Sequence, residues 1–233
     1  MDNIPVLYAD DHILVIVKPA GLHATPDGWN ASLPHVREVL APRWGRLWLV
    51  HRLDKDTSGV LLLARHPDAH RELNRQFETR TVRKTYHAIV FGEPSWQKKS
   101  VTLRLSANRG RRKRTVVDPK GKEARTDLRV LRRFSGVFSL MEARPHTGRR
   151  HQVRVHLFAV GHPVVNDPLY GVRTTDHPLP IARLALHARR LEFRHPATGE
   201  PLGFTAPHPP DFVAALENLA AYGHLYAEPP LAE

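Results

Sequence analysis

Apolar residues first gather in two short clusters, Leu7-Tyr8 and Ile13 to Val17, separated by Ala9-Asp10-Asp11-His12; this pattern predicts two strands joined as a hairpin. Lys18-Pro19-Ala20-Gly21 has the composition of a tight turn, which gives Lys18 no more than a supporting role. Residues 23 to 34 read as loop. Leu33, Val36, Val39 and Leu40 then fall at helical spacing, with Pro42 expected to close the helix. The unbroken run Val60 to Ala64 predicts a strand buried on both faces. Pro67-Asp68 opens a helix with Ala69, Leu73 and Phe77 on its packed face and Arg71, Arg75 and Arg80 turned elsewhere. From Lys84 to Phe91 the chain alternates, which puts Lys84, Tyr86, Ala88 and Val90 on one face of a strand and Thr85, His87, Ile89 and Phe91 on the other.

Further along, Thr147 is placed to cap a helix from about Arg149 to Val160, with Val153, Leu157 and Val160 inward and Gly161 as its stop. In that register Arg150 and Arg154 share a face, and His151 lies on the same side. Strands follow around Leu184 to Leu186, Leu191 to Phe193 and Leu202 to Phe204, the last two joined by the turn-rich segment 195–201. A last helix, Asp211 to Ala221, carries Phe212, Val213, Leu216 and Leu219 on its packed stripe, with Gly223 ending it and a loose tail from about residue 224. There is no repeat, low-complexity linker or clear boundary, so a single domain over residues 1–233 is expected.

Charge narrows the function. Lys and Arg total 35 against 23 Asp and Glu, a formal net charge of +12, which points to a polyanionic partner and to nucleic acid first. An anionic membrane is the weaker alternative, because no apolar run approaches the ~20 residues of a span and no basic amphipathic anchor stands out. Absence of cysteine excludes disulfides, thiol catalysis and cysteine-ligated metals, and it suits the cytoplasm. The first ten residues hold Asp2 and Asp10 and no basic group, unlike the start of a secretory signal. Residues 109–125 are the most basic stretch, with eight Lys or Arg, among them Arg111, Arg112, Lys113 and Arg114, against Asp118 and Glu123. With no apolar residue between Asn108 and Arg114, this run reads as an exposed loop or hairpin tip offered to phosphates. The 16 histidines raise the possibility of a metal-dependent hydrolase. His151 and His156, five apart, would converge on one ion neither from a strand nor from a helix.

The remaining signal is His51-Arg52-Leu53-Asp54-Lys55-Asp56-Thr57-Ser58-Gly59, just ahead of the buried run. Asp54 stands between Arg52 and Lys55, whose charges favour its ionised form and make it a ready nucleophile or base. Taken alone, the same residues also describe a turn in which Asp54 and Asp56 bond nearby amides.

His51-Arg52-Leu53-Asp54-x-x-Thr57-Ser58-Gly59 resembles the signature of RluA-type RNA pseudouridine synthases. Lys18-Pro19-Ala20-Gly21-Leu22 is similar to the first motif of that family, Arg83-Lys84-Thr85-Tyr86-His87-Ala88 to its tyrosine-bearing strand, and Thr147 to His156 to its arginine-bearing helix; Gly121-Lys122-x-Ala124-x-Thr126 resembles it too. The order is the family's, over roughly residues 7 to 212. The resemblance implies an α+β catalytic domain with a curved, largely antiparallel mixed sheet flanked by helices and an active-site cleft across the sheet. It implies isomerisation of uridine to pseudouridine in structured rRNA or tRNA, without cofactor or metal, with Asp54, Tyr86 and Arg154 catalytic and Arg154 paired with Asp54. Arg52, Lys84, Arg150, His151 and Gln152 join the basic run as expected RNA-binding residues. The chain leaves no space before its first strand for the small RNA-binding module of many relatives, so a monomer choosing its target through the catalytic domain is expected. An RNA-binding or ribosome-assembly protein of the same fold is the alternative, and it would need the basic run but not Asp54.

Overall fold

A computed structural model describes residues 4–26, 32–109, 114–134, 136–171 and 179–222. In chain order the elements are β1 (Val6–Ala9), β2 (Ile13–Lys18), α1 (Val36–Trp44), β3 (Trp48–Leu49), β4 (Ser58–Ala64), α2 (Pro67–Glu78), β5 (Arg83–Phe91), β6 (Lys98–Arg109), β7 (Arg114–Val117), β8 (Lys122–Phe134), β9 (Phe138–Pro145), α3 (Gln152–Ala159), β10 (Leu186–Arg194), β11 (Pro201–Thr205) and α4 (Pro210–Tyr222). This is an α+β fold with mixed strand pairing: β4 runs parallel to β10, while the hairpins and meanders are antiparallel. The chain forms two compact units, residues 1–85 with 187–207 and residues 86–186 with 208–233. The division falls inside β5 and at the start of β10, so no linker composition marks it.

In the first unit β2 lies between β1 and β4, β3 also pairs with β4, and β10 joins β4 to β11. All seven residues of β4 are buried, as the uninterrupted apolar run requires. Their core partners include Ile13 and Val15 of β2, Ala69 and Leu73 of α2, and Leu191 and Phe193 of β10. Pro67 begins α2 at a position whose N–H would have no helical partner, and His66 caps the helix by accepting from Ala69 N. Pro42 does not close α1; the helix runs two residues further and ends on Gly45, whose N–H donates to Ala41 O. A proline in the last turn gives up one backbone bond without blocking the turn after it. The helix also begins later than the apolar spacing suggests, because His35 takes the capping position.

The second unit is built on β5, β9, β8, β6 and β7, each antiparallel to the next. Helices α3 and α4 supply Val153, Leu157, Phe212, Ala215 and Leu219 to its core, together with Ile89, Val130, Phe138 and Met141 from the strands. Val213 is 38% exposed, so Ala215 takes the packed place expected for it. Gly223 lies outside the described residues. No separate strand forms at 184–186: Leu184 and Ala185 approach as irregular backbone, with Ile89 N donating to Ala185 O and Ala185 N to Val165 O, and β10 starts at Leu186. Strands β6 and β7 pair at Arg109 and Arg114; Arg111, Arg112 and Lys113 lie outside the described residues.

Gly59 is fixed by the parallel pairing. Its φ is +121°, and a Cβ there would stand 2.2 Å from the carbonyl oxygen of Ala188, its register partner on β10. Neither neighbour can yield, since both are backbone in a sheet. Gly59→Ala is expected to cost about 3 kcal/mol, read as a lowered urea midpoint; an unchanged midpoint would refute the close approach.

His51 supplies a second measurable constraint on this unit. Its Nε2 accepts from Leu62 N at 3.0 Å, and its ring stacks on Phe77 at 4.9 Å. Burial, with the charge of Lys84, lowers its pKa to about 3. Because the unfolded chain protonates this imidazole near pH 6.5 and the folded chain does not, its contribution is complete above pH 6.5 and is lost as pH falls from there toward 3. Stability of wild type minus that of His51→Gln should therefore shrink on acidification from pH 7.5 to 4.5, and a difference independent of pH would remove this role.

Candidate active site

In the first unit the site begins with a buried cation. Lys18 closes β2 with no solvent exposure, and its Nζ donates to the carbonyls of Pro19 at 2.7 Å, Leu22 at 2.8 Å and Lys55 at 2.9 Å. Gly21, at φ +82°, turns the chain so that its own N–H also donates to Lys55 O at 2.9 Å. The Lys18-Pro19-Ala20-Gly21-Leu22 motif thus grips the loop that carries Asp54. An ammonium out of water is tolerated only when carbonyls replace its hydration, and here they come from the two segments that must be held together. The sequence reading gave Lys18 a supporting part; the structure makes it the anchor of the Asp54 loop.

The other end of that loop is held by β4. Thr57 N donates to Asp54 O at 3.1 Å, closing the turn, and Ser58 Oγ lies 2.9 Å from Nδ1 of the buried His187 on β10. Leu53 is buried and Asp54 is half-buried, whereas Arg52 and Lys55 are exposed on either side. Asp54 therefore stands in a loop held at both ends, with an exposed cationic residue close on either side in sequence. Lys84, on β5, is half-buried, and burial lowers its pKa to about 8. Its charge acts on His51, which brings the first residue of the Asp54 motif and the tyrosine-bearing strand into one electrostatic neighbourhood of this unit.

In the second unit Tyr86 is half-buried and packs against the core. Strand alternation puts it on the same face as Lys84, as expected. Arg154 is 5% exposed on α3, and its guanidinium forks onto Asp167, Nε to Oδ2 and Nη2 to Oδ1, both at 2.7 Å. The carboxylate of Asp167 also accepts from the backbone N–H groups of Leu169 at 2.9 Å and Tyr170 at 3.1 Å. The guanidinium lies over the Tyr170 ring at 5.2 Å. The Tyr170 hydroxyl accepts from Thr115 N at 2.8 Å and shares a hydrogen bond of 3.0 Å with His151 Nδ1. Asp167 and Tyr170 were missed by the sequence reading. The available signal was Asn166-Asp167-Pro168-Leu169-Tyr170-Gly171, a turn composition that gives no hint of a buried arginine until the chain is folded.

The approach to α3 differs from the expected helix. Helical geometry starts at Gln152, and His151 is left-handed at φ +54° with no capping side chain. Thr147 is not the cap: its hydroxyl donates to Gln152 Oε1 at 2.7 Å and accepts from Arg125 N at 3.1 Å. Arg150 thus precedes the helix and does not share a helical face with Arg154; its Nε donates to His151 Nε2 at 3.3 Å. Gln152 is buried, with its oxygen also accepting from Arg149 N and its nitrogen donating to Arg125 O and Thr126 Oγ1. That amide shapes the turn before Arg154. Arg114 is exposed at the start of β7, beside the Thr115 that bonds Tyr170.

Residues 12–159 match the family model for RNA pseudouridylate synthase. The chain is 39% identical over 240 residues to ribosomal large subunit pseudouridine synthase D of Nitrosomonas europaea, covering 97% of this chain and 68% of the relative. It is 38% identical to the synthase D of Pseudomonas aeruginosa, covering 93% and 72%. Among solved structures it is similar to human RNA pseudouridylate synthase domain containing 4, with TM-score 0.74, 28% identity and 93% coverage of both chains. It is also similar to the human domain containing 1 protein, with TM-score 0.77, 27% identity and coverage of 98% and 97%. With more than half its length in the family model and such relatives matched across most of their own length, the chain belongs to the RNA pseudouridylate synthase family and is an enzyme that isomerises uridine to pseudouridine in RNA.

Proposed function

We propose that the RNA is large-subunit ribosomal RNA and that Asp54 is the group that acts on the target nucleotide. The observation that carries this reading is the Asp54 loop itself, pinned by the Lys18 ammonium on one side and by the buried β4 on the other. The names of the relatives from Nitrosomonas europaea and Pseudomonas aeruginosa support the choice of RNA. In this reaction the C1'–N1 bond breaks, the uracil turns while held, C5 joins C1' with loss of the C5 proton, and N1 takes up a proton, so that the product is an isomer. Unstacking the uridine costs a few kcal/mol, offset by pocket contacts and by cations on the backbone. Asp54 supplies the carboxylate, Tyr86 a phenol to stack on the base and to help take the C5 proton, and Arg154 a fixed positive charge. Arg52, Lys84, Arg114, Arg150 and His151 face the RNA backbone, with Arg111, Arg112 and Lys113 continuing the basic run. The enzyme works as a monomer in the cytoplasm, as one catalytic domain without a cofactor.

Asp54→Asn removes a charge and almost no volume. It should reduce product formation on the order of 10³-fold or more while RNA affinity stays within several-fold; comparable turnover by the purified variant would reject Asp54, and RNA binding without turnover by the wild type would favour the assembly-protein alternative. Lys18→Met should act differently, lowering stability by about 2–4 kcal/mol because buried carbonyls lose their donor, and lowering kcat through a loosened loop. Chemical unfolding run beside the assay separates the two, since Asp54→Asn should leave the unfolding midpoint almost unchanged.

A further inference from the structure

In the second unit the sheet turns one face to α3 and the other away from it. Val101 on β6, Leu128 and Val130 on β8 and Ala143 on β9 pack toward Val153 and Leu157 of α3, the helix that carries Arg154. Alternation sends their neighbours to the opposite face. There the register sets Lys98 beside Arg129 and Arg129 beside Glu142, while the next row holds Ser100, Asp127 and Arg144.

Glu142 organises the charge on this face. Its side chain is 9% exposed, and its Oε1 lies 3.3 Å from Arg129 Nε and 3.1 Å from Arg144 Nη2. One sunken carboxylate thus holds two guanidinium groups side by side, although their side chains remain 46% and 59% exposed. Each arginine commits one nitrogen downward and turns the rest of its donor fork outward. Lys98 completes the rim of a cleft of about 410 Å³, while Lys99, paired with Leu128, belongs to the α3 face and lies 5.7 Å over the Trp96 ring. Asp127, the other carboxylate on its wall, is engaged by Ser100 Oγ, by His146 at 2.6 Å and by Arg125 at 3.5 Å. Three cations against one shared and one occupied carboxylate leave the cleft positive. Two prearranged guanidiniums flanked by an ammonium suit the oxygens of a phosphodiester.

We propose that this cleft is a second RNA-backbone site, which holds a segment of the substrate flanking the target uridine on the sheet face opposite α3. The proposal rests on the RNA-modifying activity for its choice of ligand, and on Glu142 and its two arginines for the site. It predicts that the enzyme prefers an extended RNA to the isolated stem-loop holding the target, since only the longer chain carries the flanking segment.

The test is a salt titration of RNA binding with kcat and KM on a long and a minimal substrate, for wild type and two variants. Lys98→Gln removes the rim cation and leaves the Glu142 cluster in place. Arg129→Gln, Glu142→Gln and Arg144→Gln together remove the cluster without stranding a buried charge. The rim variant loses one phosphate contact and the cluster variant two, so the slope of log affinity against log salt for the long RNA should flatten by about 0.7 and about 1.4, with affinity near physiological salt about threefold and about tenfold weaker. KM on the long RNA should rise in step, while kcat at saturation and KM on the minimal RNA hold. An unchanged slope in the rim variant overturns the site, whether or not the cluster variant folds. Equal losses on long and minimal RNA also overturn it, since they would put the contact at the target itself. A wild type that binds RNA without forming pseudouridine would refute the reaction and leave the binding comparison standing.

Discussion

A single ammonium, that of Lys18, is the constraint on which the Asp54 loop depends. It lies out of water at the end of β2, and three carbonyls from two sequence motifs replace its hydration. The arrangement is stable only while both motifs keep their places, because a displaced carbonyl would leave a buried charge undersolvated. The anchor therefore transmits rigidity from the β1–β2 hairpin to the loop between Leu53 and Thr57. A loop so held keeps its carboxylate in one place, as the role proposed for Asp54 requires.

The second unit solves a similar problem with the signs reversed. Arg154 is buried with a fully buried carboxylate, and Asp167 is satisfied from four directions by two guanidinium nitrogens and two backbone amides. Such a pair contributes little net stability against a well-packed apolar alternative, and breaking it costs several kcal/mol. What it secures is orientation. Tyr170 extends the same order outward, touching the arginine through its ring and Thr115 and His151 through its hydroxyl.

Much of this was legible in the residues, for identifiable reasons. The continuous apolar run Val60 to Ala64, the alternation through β5 and the proline at the start of α2 each leave a periodic or positional mark, and each element is found where the mark predicts. The strands of the 98–145 meander left no such mark, because they alternate apolar positions with Lys and Arg and resemble a charged surface; only the basic run stands out there, as an exposed loop or hairpin tip. Thr147 looked like a helix cap and serves as a turn-builder, since Gln152 competes for its hydroxyl. The motif residues Asp54, Tyr86 and Arg154 were reached by resemblance. Lys18 lies in a motif of that resemblance without its anchoring part being visible, and Asp167 lies outside it, as a lysine in a Pro-Gly turn and an aspartate before a proline acquire their meaning only from partners distant in sequence.

The parallel pairing of β4 with β10 also bears on how the chain is made. Ser58 and His187, hydrogen-bonded across that pairing, are 129 residues apart, and the Gly59 contact with Ala188 belongs to the same junction. A ribosome extending this chain exposes the most apolar strand of the first unit long before the partner that covers its far edge has been synthesised. Loop closure over such a span is slow, and an unpaired hydrophobic edge is prone to self-association while it waits. The growing chain thus passes through a vulnerable interval that ends only when β10 emerges and its Ala188 carbonyl meets Gly59.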